Sequence, residues 1–488
     1  MIPRTLAQIA AITGGRIAGI ATEDAERLVI DGPVVTDSRE AGAGGLYIAR
    51  VGASADGHDF IPAAAQGGAA AALVTRDLGP LPRVVVPDEQ AAFVALARSL
   101  IDASPGLRVI GITGSSGKTS TKDLLGQVLA TAGETVAPVG SYNSEVGVPL
   151  TVCRITPTTR YLVVEMGARG AGHIRYLTQI APPQTGIVLN VGSAHVGEFG
   201  SREAIGIAKG ELIAALPADG LAILNADDVI VSAMAQRTTA RVVRVGEHPD
   251  ADLRAREITL DATGRAQFLL DGPFVKHRGG GDIRVRLAVA GRHQVGNALA
   301  VIVAATEAGM PLPAVVAALA DAGPVSRYRM EVGPGPEGIT IVNDAYNANP
   351  ESMTAALDAL ASMGQGEVHG QGQDQAQQRR RVAILGPMLE LGAEAEAAHR
   401  AVGEYAVRSG VDVLLVVGDE AREIGTGASA AHDGAVQVRY APDVESAYSE
   451  AAALLRAGDL VLVKSSNGAG LRFLGDRLRE MPALEGGS

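Results

Sequence analysis

Gly111-Ile-Thr-Gly-Ser-Ser-Gly-Lys-Thr119 continues the apolar run Arg108 to Thr113 and opens a helical pattern from Thr119 to Ala132. A strand that runs into a glycine loop and then a helix is the setting a phosphate cradle requires. The glycines let backbone N–H groups turn toward an anion, and the helix N-terminus adds a favourable field. Lys118 is expected at the β- and γ-phosphates of ATP and Thr119 at a magnesium ion, with Gly114, Ser115, Ser116, Gly117 and Ser120 completing the cradle. The loop is the short GxxGKT form, because Ile112 stands where the longer pattern has its first glycine.

Around this loop, strands at Tyr161 to Glu165, Gly186 to Val191 and Leu221 to Asn225 alternate with helical patterns at Arg202 to Ala215 and Gln294 to Ala308. That alternation predicts a parallel sheet covered on both faces. Upstream, strands Ala71 to Val74 and Val84 to Val86 and a helix capped by Asp88 outline a smaller α/β unit. The punctuation Ser104-Pro105-Gly106 sets a boundary there, and Gly323-Pro324 sets a second. Strands at Ile339 to Val342, Val382 to Leu385, Val413 to Val417 and Leu460 to Val463 then alternate with helices again. The expectation is an α/β protein of three domains, 1–105, 106–323 and 324–488, the middle one carrying the phosphate loop and the last Rossmann-like. Gly364 to Gln378, rich in Gly and Gln, is expected to be a flexible surface insertion edged by the solvated run Arg379 to Arg381.

A chain of 488 residues with 47% apolar residues can fill several cores. Its net charge of -12 is spread over short mixed segments, with no basic stripe, which argues against a nucleic-acid partner. One cysteine, Cys153, cannot form an internal disulfide, in keeping with a reducing cytoplasm. Gln8 and the Gly14-Gly15 pair interrupt any signal-peptide core, and Glu307 and Pro311 break the best candidate for a membrane span of about 18 apolar residues, so no membrane association is expected.

A phosphate loop is common to kinases, motors, sensors and ligases, so the chemistry must come from other residues. Glu165 and His195 each follow a predicted strand and are expected beside the loop at the carboxyl edge of the sheet, where with Thr119 they could hold hard cations. Pattern alone does not set Lys209 apart from any solvated lysine.

Six segments in order carry a resemblance: Thr-Gly-Ser-Ser-Gly-Lys-Thr119, Val-Glu-Met-Gly167, Ala-His-Val-Gly-Glu-Phe-Gly200, Ala-Lys-Gly-Glu211, Gly-Arg-His-Gln-Val-Gly-Asn297 and Asn-Asp-Ala-Tyr-Asn-Ala-Asn-Pro350. Over nearly the whole chain the sequence resembles the Mur ligases, ATP-dependent peptide ligases of cell-wall synthesis. Thr36-Asp-Ser-Arg39 and Ala55-Asp-Gly-His58 are similar to the family's uridine-nucleotide domain, and Ser141 to Pro149 to its muramyl-substrate loop. The segments Asp344 to Pro350 and Leu385 to Gly392 resemble the branch that adds D-alanyl-D-alanine to UDP-N-acetylmuramoyl-tripeptide. The Asp-Asn-Pro-Arg motif of the branch that adds the third amino acid is missing, although that branch remains the nearest alternative, ahead of a folylpolyglutamate or cyanophycin type ligase or a P-loop kinase. Two departures stand out: Pro387 replaces a common acidic residue, and Lys464-Ser-Ser-Asn-Gly468 replaces a common Lys-Gly-Ser-Arg.

The resemblance implies that the tripeptide carboxylate attacks the γ-phosphate of ATP and that the dipeptide amine displaces phosphate from the acyl phosphate. It implies two magnesium ions held by Thr119, Glu165, His195 and a carbamylated Lys209. It also implies ATP contacts from Asn297, Arg329, Asp344, Tyr346 and Asn347, substrate contacts from Ser38, Arg39, Asn143 and Ser144, and a cytoplasmic monomer. Catalytic roles are expected for Lys118, Glu165, His195, Lys209, Arg329 and Asp344.

Overall fold

The structure, a computed structural model, describes residues 1–52, 54–192, 196–278, 281–364, 379–431 and 436–482. Three sheets follow one another along the chain, with a small antiparallel pair, Arg4–Thr5 and Val29–Ile30, before them. The first large sheet has five strands in the order Arg16–Ala18, Arg83–Val85, Ala69–Val74, Gly45–Ile48, Val34–Val35, parallel except for the first pair. Helix Glu89–Asp102 follows it and starts on Asp88, whose carboxylate accepts from the Ala91 N–H.

The central sheet has nine strands. Arg108–Thr113 lies between Tyr161–Glu165 and Thr185–Val188, all parallel, so successive connections leave it toward opposite sides. A crevice opens at the carboxyl end of the strand where the order switches, and ligands of open α/β sheets bind at such points. Ile110 and Ile112 pack against Leu124, Leu125 and Val128 of helix Lys118–Ala130 and against the Ala-rich helix Gln294–Glu307. Val109, on the other face, joins a core with Leu212, Ile205 and Met166. Gly111 permits this packing, since a Cβ there would lie 2.9 Å from a methyl of Leu212.

One expectation needs correction. The central sheet is not parallel throughout: beyond Arg241–Gly246 it gains Leu253–Leu260, Arg265–Asp271 and Ile283–Ala290, which form an antiparallel meander. Their alternation of exposed charge with buried Leu253, Ala255, Phe268, Leu270, Val285 and Leu287 is the period of a half-buried strand, which a search for continuous apolar runs passes over. The strand expected to reach Val191 ends at Val188, because Leu189 and Asn190 turn out to meet the phosphate loop.

The last sheet has six strands, parallel except for its edge strand Glu331–Pro334. The described residues include no helix long and apolar enough to cross a membrane. The insertion expected from 364 to 378 lies, beyond Gly364, outside the described residues.

In this last unit helices Ala395–Arg408 and Arg422–Ala430 cross at Gly403 and Gly427, where an added Cβ would overlap backbone atoms of Ile424 and Arg400 respectively. Gly403→Ala is therefore expected to destabilise by about 1–3 kcal/mol through overpacking. Gly296→Ala, at a helical glycine with open space around it, is expected to stabilise by about 0.5–1 kcal/mol. Unfolding midpoints of the two variants, which should move in opposite directions, check both signs.

Candidate active site

The phosphate loop is pinned from its neighbours. The Asn190 side chain accepts from the Ser116 N–H at 2.9 Å and donates to the Ser116 carbonyl at 3.2 Å, and the Ser115 hydroxyl accepts from the Gly192 N–H at 2.9 Å. Gly117 has φ of +80°, and a Cβ there would lie 2.7 Å from Asn297 Oδ1, so only glycine allows both the turn and the approach of the helix that carries Asn297. Lys118 curls over its own loop and donates to the Gly114 carbonyl at 2.8 Å. Part of its stem stays open to the cavity, yet the dense surroundings of the ammonium push its pKa down, and Arg329 adds to the effect while Glu165 opposes it.

Glu165 is buried at the end of its strand with both oxygens engaged. Oε2 accepts from the Thr119 hydroxyl at 2.9 Å and Oε1 from the Asn143 amide at 2.8 Å. Among the described residues the carboxylate thus has no basic partner within hydrogen-bonding reach, unlike an ion-pair glutamate. Thr119 and Glu165 offer hard oxygen donors of the kind magnesium prefers.

Lys209 extends from helix Arg202–Ala214, whose start is capped by Ser201. It is 5% exposed, and burial, with the nearby positive charge of Lys118, holds its pKa well below the ordinary lysine value. A buried amine that sheds its proton readily is the form that reacts with carbon dioxide, so the residue fits a carbamate. Glu211, on the same helix, accepts from the N–H groups of Gly172 and Arg175 at 2.6 and 3.0 Å and anchors the start of helix His173–Ile180.

From the last sheet come Arg329, Asp344, Tyr346 and Asn347. Tyr328 and Met330 have φ of +63° and +49°, a costly conformation on both sides of Arg329. The guanidinium lies 4.3 Å over the Tyr346 ring, and its buried Nε has no partner among the described residues. Tyr346 Oη and Ser141 Oγ are 2.6 Å apart, a bond between the central and last units. Lys464, 2% exposed, donates to Asp344 Oδ2 at 2.5 Å and to the Asn347 carbonyl at 3.0 Å.

One cavity of about 910 Å³ collects these groups. Its walls include Ser115 through Ser120, Asn143, Ser144, Glu165 and Lys209 from the central unit, with Asn297 beyond them. Arg329, Asp344, Tyr346 and Asn347 close it from the last unit. Gly114 takes part through its carbonyl. His195 lies outside the described residues. Ser38 and Arg39 do not line this cavity: they sit on the turn Ser38–Glu40, where Arg39 is paired with Asp37, whose pKa it lowers to about 2. His58, of the Ala55 to His58 segment, is a buried strut between Asp56 and the Thr75 N–H.

Sequence reading missed Asn190, Lys464 and Glu211 as supports. Glu211 and Lys464 lie in segments singled out above, but their supporting roles show only in space, since each of the three acts on a segment far along the chain. The two unusual features at 387 and 464–468 meet in space: the Ser466 N–H donates to the Pro387 carbonyl and the Leu389 N–H to the Ser466 hydroxyl, both at 2.9 Å. Proline suits its position because only its carbonyl is used.

The chain matches three family descriptions: "Mur ligase family, catalytic domain" over residues 33–90, "Mur ligase middle domain" over 112–305 and "Mur ligase, glutamate ligase domain" over 328–467. It is 45% identical to the UDP-N-acetylmuramoyl-tripeptide--D-alanyl-D-alanine ligase of Mycobacterium tuberculosis (strain ATCC 25618 / H37Rv), with 98% of each chain covered. It is 36% identical to the Escherichia coli (strain K12) enzyme of the same name, over 87% of this chain and 88% of the other. Among solved structures it resembles MurF from Acinetobacter baumannii, at TM-score 0.83 and 28% identity over 98% and 99% of the two chains. It also resembles MurF ligase from Thermotoga maritima in complex with ADP, at TM-score 0.75 and 26% identity over 92% and 98%. With its fold, its cradle and its full-length relatives in agreement, this chain belongs to the Mur ligase family.

Proposed function

We propose that this chain is an ATP-dependent ligase that joins D-alanyl-D-alanine to UDP-N-acetylmuramoyl-tripeptide. One observation carries the proposal beyond the names of relatives: Lys118 and Arg329 converge on one cavity beside the Thr119–Glu165 oxygen pair and the buried Lys209 amine, a placement suited to bringing two anions together over a metal. The tripeptide carboxylate attacks the γ-phosphorus, the bond to the ADP oxygen breaks, and an acyl phosphate forms. The dipeptide amine then attacks the carbonyl carbon, phosphate leaves with the bonding electrons, and the amine gives up a proton.

Lys118 and Arg329 neutralise the transferring oxygens. Magnesium, when bound, supplies further neutralisation there, with Thr119, Glu165, carbamylated Lys209 and His195 as its holders. A carbamate at Lys209 turns a charge that would repel the metal into one that attracts it. Asn297, Tyr346 and Asn347 flank the nucleotide, and Asp344, held by Lys464, keeps the strained Arg329 segment in place. Asn143 and Ser144 face the muramyl part, while Ser38 and Arg39 serve the uridine diphosphate at a separate location. Closing the last unit over the cavity excludes water from the acyl phosphate. Domain limits at 105/106 and 323/324, action as a monomer and a cytoplasmic location belong to the same reading. In support of that division, a turn in which the Leu107 N–H meets the Ser104 carbonyl lies at the first limit, and the Gly323 carbonyl at the second accepts from Gln127.

Phosphate release from ATP is the direct test: it should require UDP-N-acetylmuramoyl-tripeptide and D-alanyl-D-alanine together, and release that ignores the dipeptide would refute the proposal. Lys118→Ala should lower kcat/KM by about 10²–10³-fold or more, the scale of losing a preorganised charge at a reacting oxygen, as read in the same assay. Lys209→Ala should fall by about 100-fold and regain activity with added short carboxylates such as acetate, a rescue that a merely structural lysine would not show.

A further inference from the structure

Four basic side chains that line the cavity make no side-chain ion pair among the described residues: Lys118, Lys209, Arg329 and Arg169. The first three form one electrostatic cluster, Lys118 acting on Lys209 and Arg329 on Lys118. Arg169 stands outside that cluster, on the wall it shares with His173, Tyr176 and Leu177. The phosphoryl-transfer reading leaves it without a task.

The segment that carries Arg169 is built to hold still. It leaves the sheet after Glu165, four residues earlier, so its backbone stays within about 14 Å of that carboxylate's residue. At one end the Gly167 N–H donates to the Asn143 carbonyl at 2.9 Å, and at the other the Gly172 N–H donates to the buried Glu211 at 2.6 Å. Between them the Arg169 N–H donates to His173 Nδ1 at 3.2 Å. That bond uses the lone pair on Nδ1 and holds the ring against the Arg169 backbone. A guanidinium with no ion-pair partner among the described residues, on a cavity wall tied down at three points, has the chemistry of a carboxylate receptor.

We infer that Arg169 binds a free carboxylate of the stem peptide, distinct from the one that is activated, and that His173 is a positioning residue that fixes the Arg169 loop. This rests on the ligase reading above. One similar structure, 27% identical, is a UDP-N-acetylmuramoylalanyl-D-glutamyl-2,6-diaminopimelate--D-alanyl-D-alanyl ligase from Acinetobacter baumannii, whose name gives that protein's substrate an alanyl-D-glutamyl-2,6-diaminopimelate chain. Such a peptide has two candidates, the remaining carboxylate of the D-glutamyl residue and the distal carboxylate of diaminopimelate. A lysine in third place keeps the distal ammonium of diaminopimelate but lacks the distal carboxylate, and so offers Arg169 nothing to pair with there.

The test is steady-state KM for three UDP-N-acetylmuramoyl-tripeptides: one ending in diaminopimelate, one ending in lysine, and the first with its D-glutamyl carboxylate converted to an amide. Arg169→Met should raise KM for the diaminopimelate tripeptide roughly 10- to 100-fold, the scale of a lost charge-assisted bond, while KM for ATP and for the dipeptide stays within about twofold. Arg169→Lys should recover part of the loss. If the distal carboxylate is the partner, the lysine tripeptide loses the difference between wild type and Arg169→Met; if the D-glutamyl carboxylate is, the amide does. His173→Ala should raise the same KM yet keep the preference among the three substrates. Equal KM values in wild type and Arg169→Met, or a rise that is the same for all three substrates, would overturn the inference and leave the ligase reading intact. A wild-type protein that ligates none of the three would overturn both.

Discussion

Lys209 is buried beside a second lysine, Lys118, with no carboxylate among the described residues hydrogen-bonded to either. Taking like charges out of water and placing them together is unfavourable, and the lowered pKa of both residues expresses it. The rest of the architecture serves to hold that arrangement. The strand that ends in Glu165 and the helix that opens at Lys118 are fixed in two apolar cores, one on each face of the central sheet. Glu165, the carboxylate that acts on Lys118, is kept by Thr119 and Asn143 instead of pairing with a lysine. A site whose cations remain uncompensated is a site prepared for anions, and for phosphate and carboxylate groups above all.

A second constraint governs the contribution of the last unit. Arg329 is presented by a backbone with two non-glycine residues at positive φ, each costing about 1–3 kcal/mol, so the surroundings must determine that conformation. They do so through two bonds: the Tyr328 N–H donates to Glu331 and the Met330 N–H to Asp344, both at 2.9 Å. Just upstream, the Ser326 N–H donates to Asp123 at 3.0 Å, and Lys122, on the same helix as the phosphate loop, bonds to Asp123, the Pro138 carbonyl and Ser326. The joint between the central and last units is therefore tied to the helix that begins at the cradle. Movement of the last unit and the position of the phosphates share one element.

Much of the core was legible in the chain itself. Arg108–Thr113, Tyr161–Glu165, Leu221–Asn225 and Val413–Val417 stand where their apolar runs place them, because strands buried on both faces need unbroken apolar sequence. The meander from 253 to 290 was not legible in that way, since one of its faces is half open and its residues alternate. Of the candidate residues, the loop from Gly114 to Ser120 could be read from spacing and context and Glu165 from its place at a strand end, whereas Lys209 stood out only through the family resemblance. Burial is what sets Lys209 apart, and burial is a property of everything packed around it.

The sequence by itself determined the local conformations: where glycine permits a positive φ against Asn297, where an aspartate or serine caps a helix, and which runs are apolar enough to become central strands. These depend on neighbours along the chain, so short windows encode them. Only the tertiary structure decided that Asn190 supports Ser116, that Lys464 holds Asp344, that Pro387 meets Ser466, and that Arg169 is left without an ion-pair partner among the described residues beside a shared cavity. Each of these is a relation between segments far apart in the chain, or the absence of one. Distance, desolvation and the field of neighbouring charges exist only once those segments are brought together.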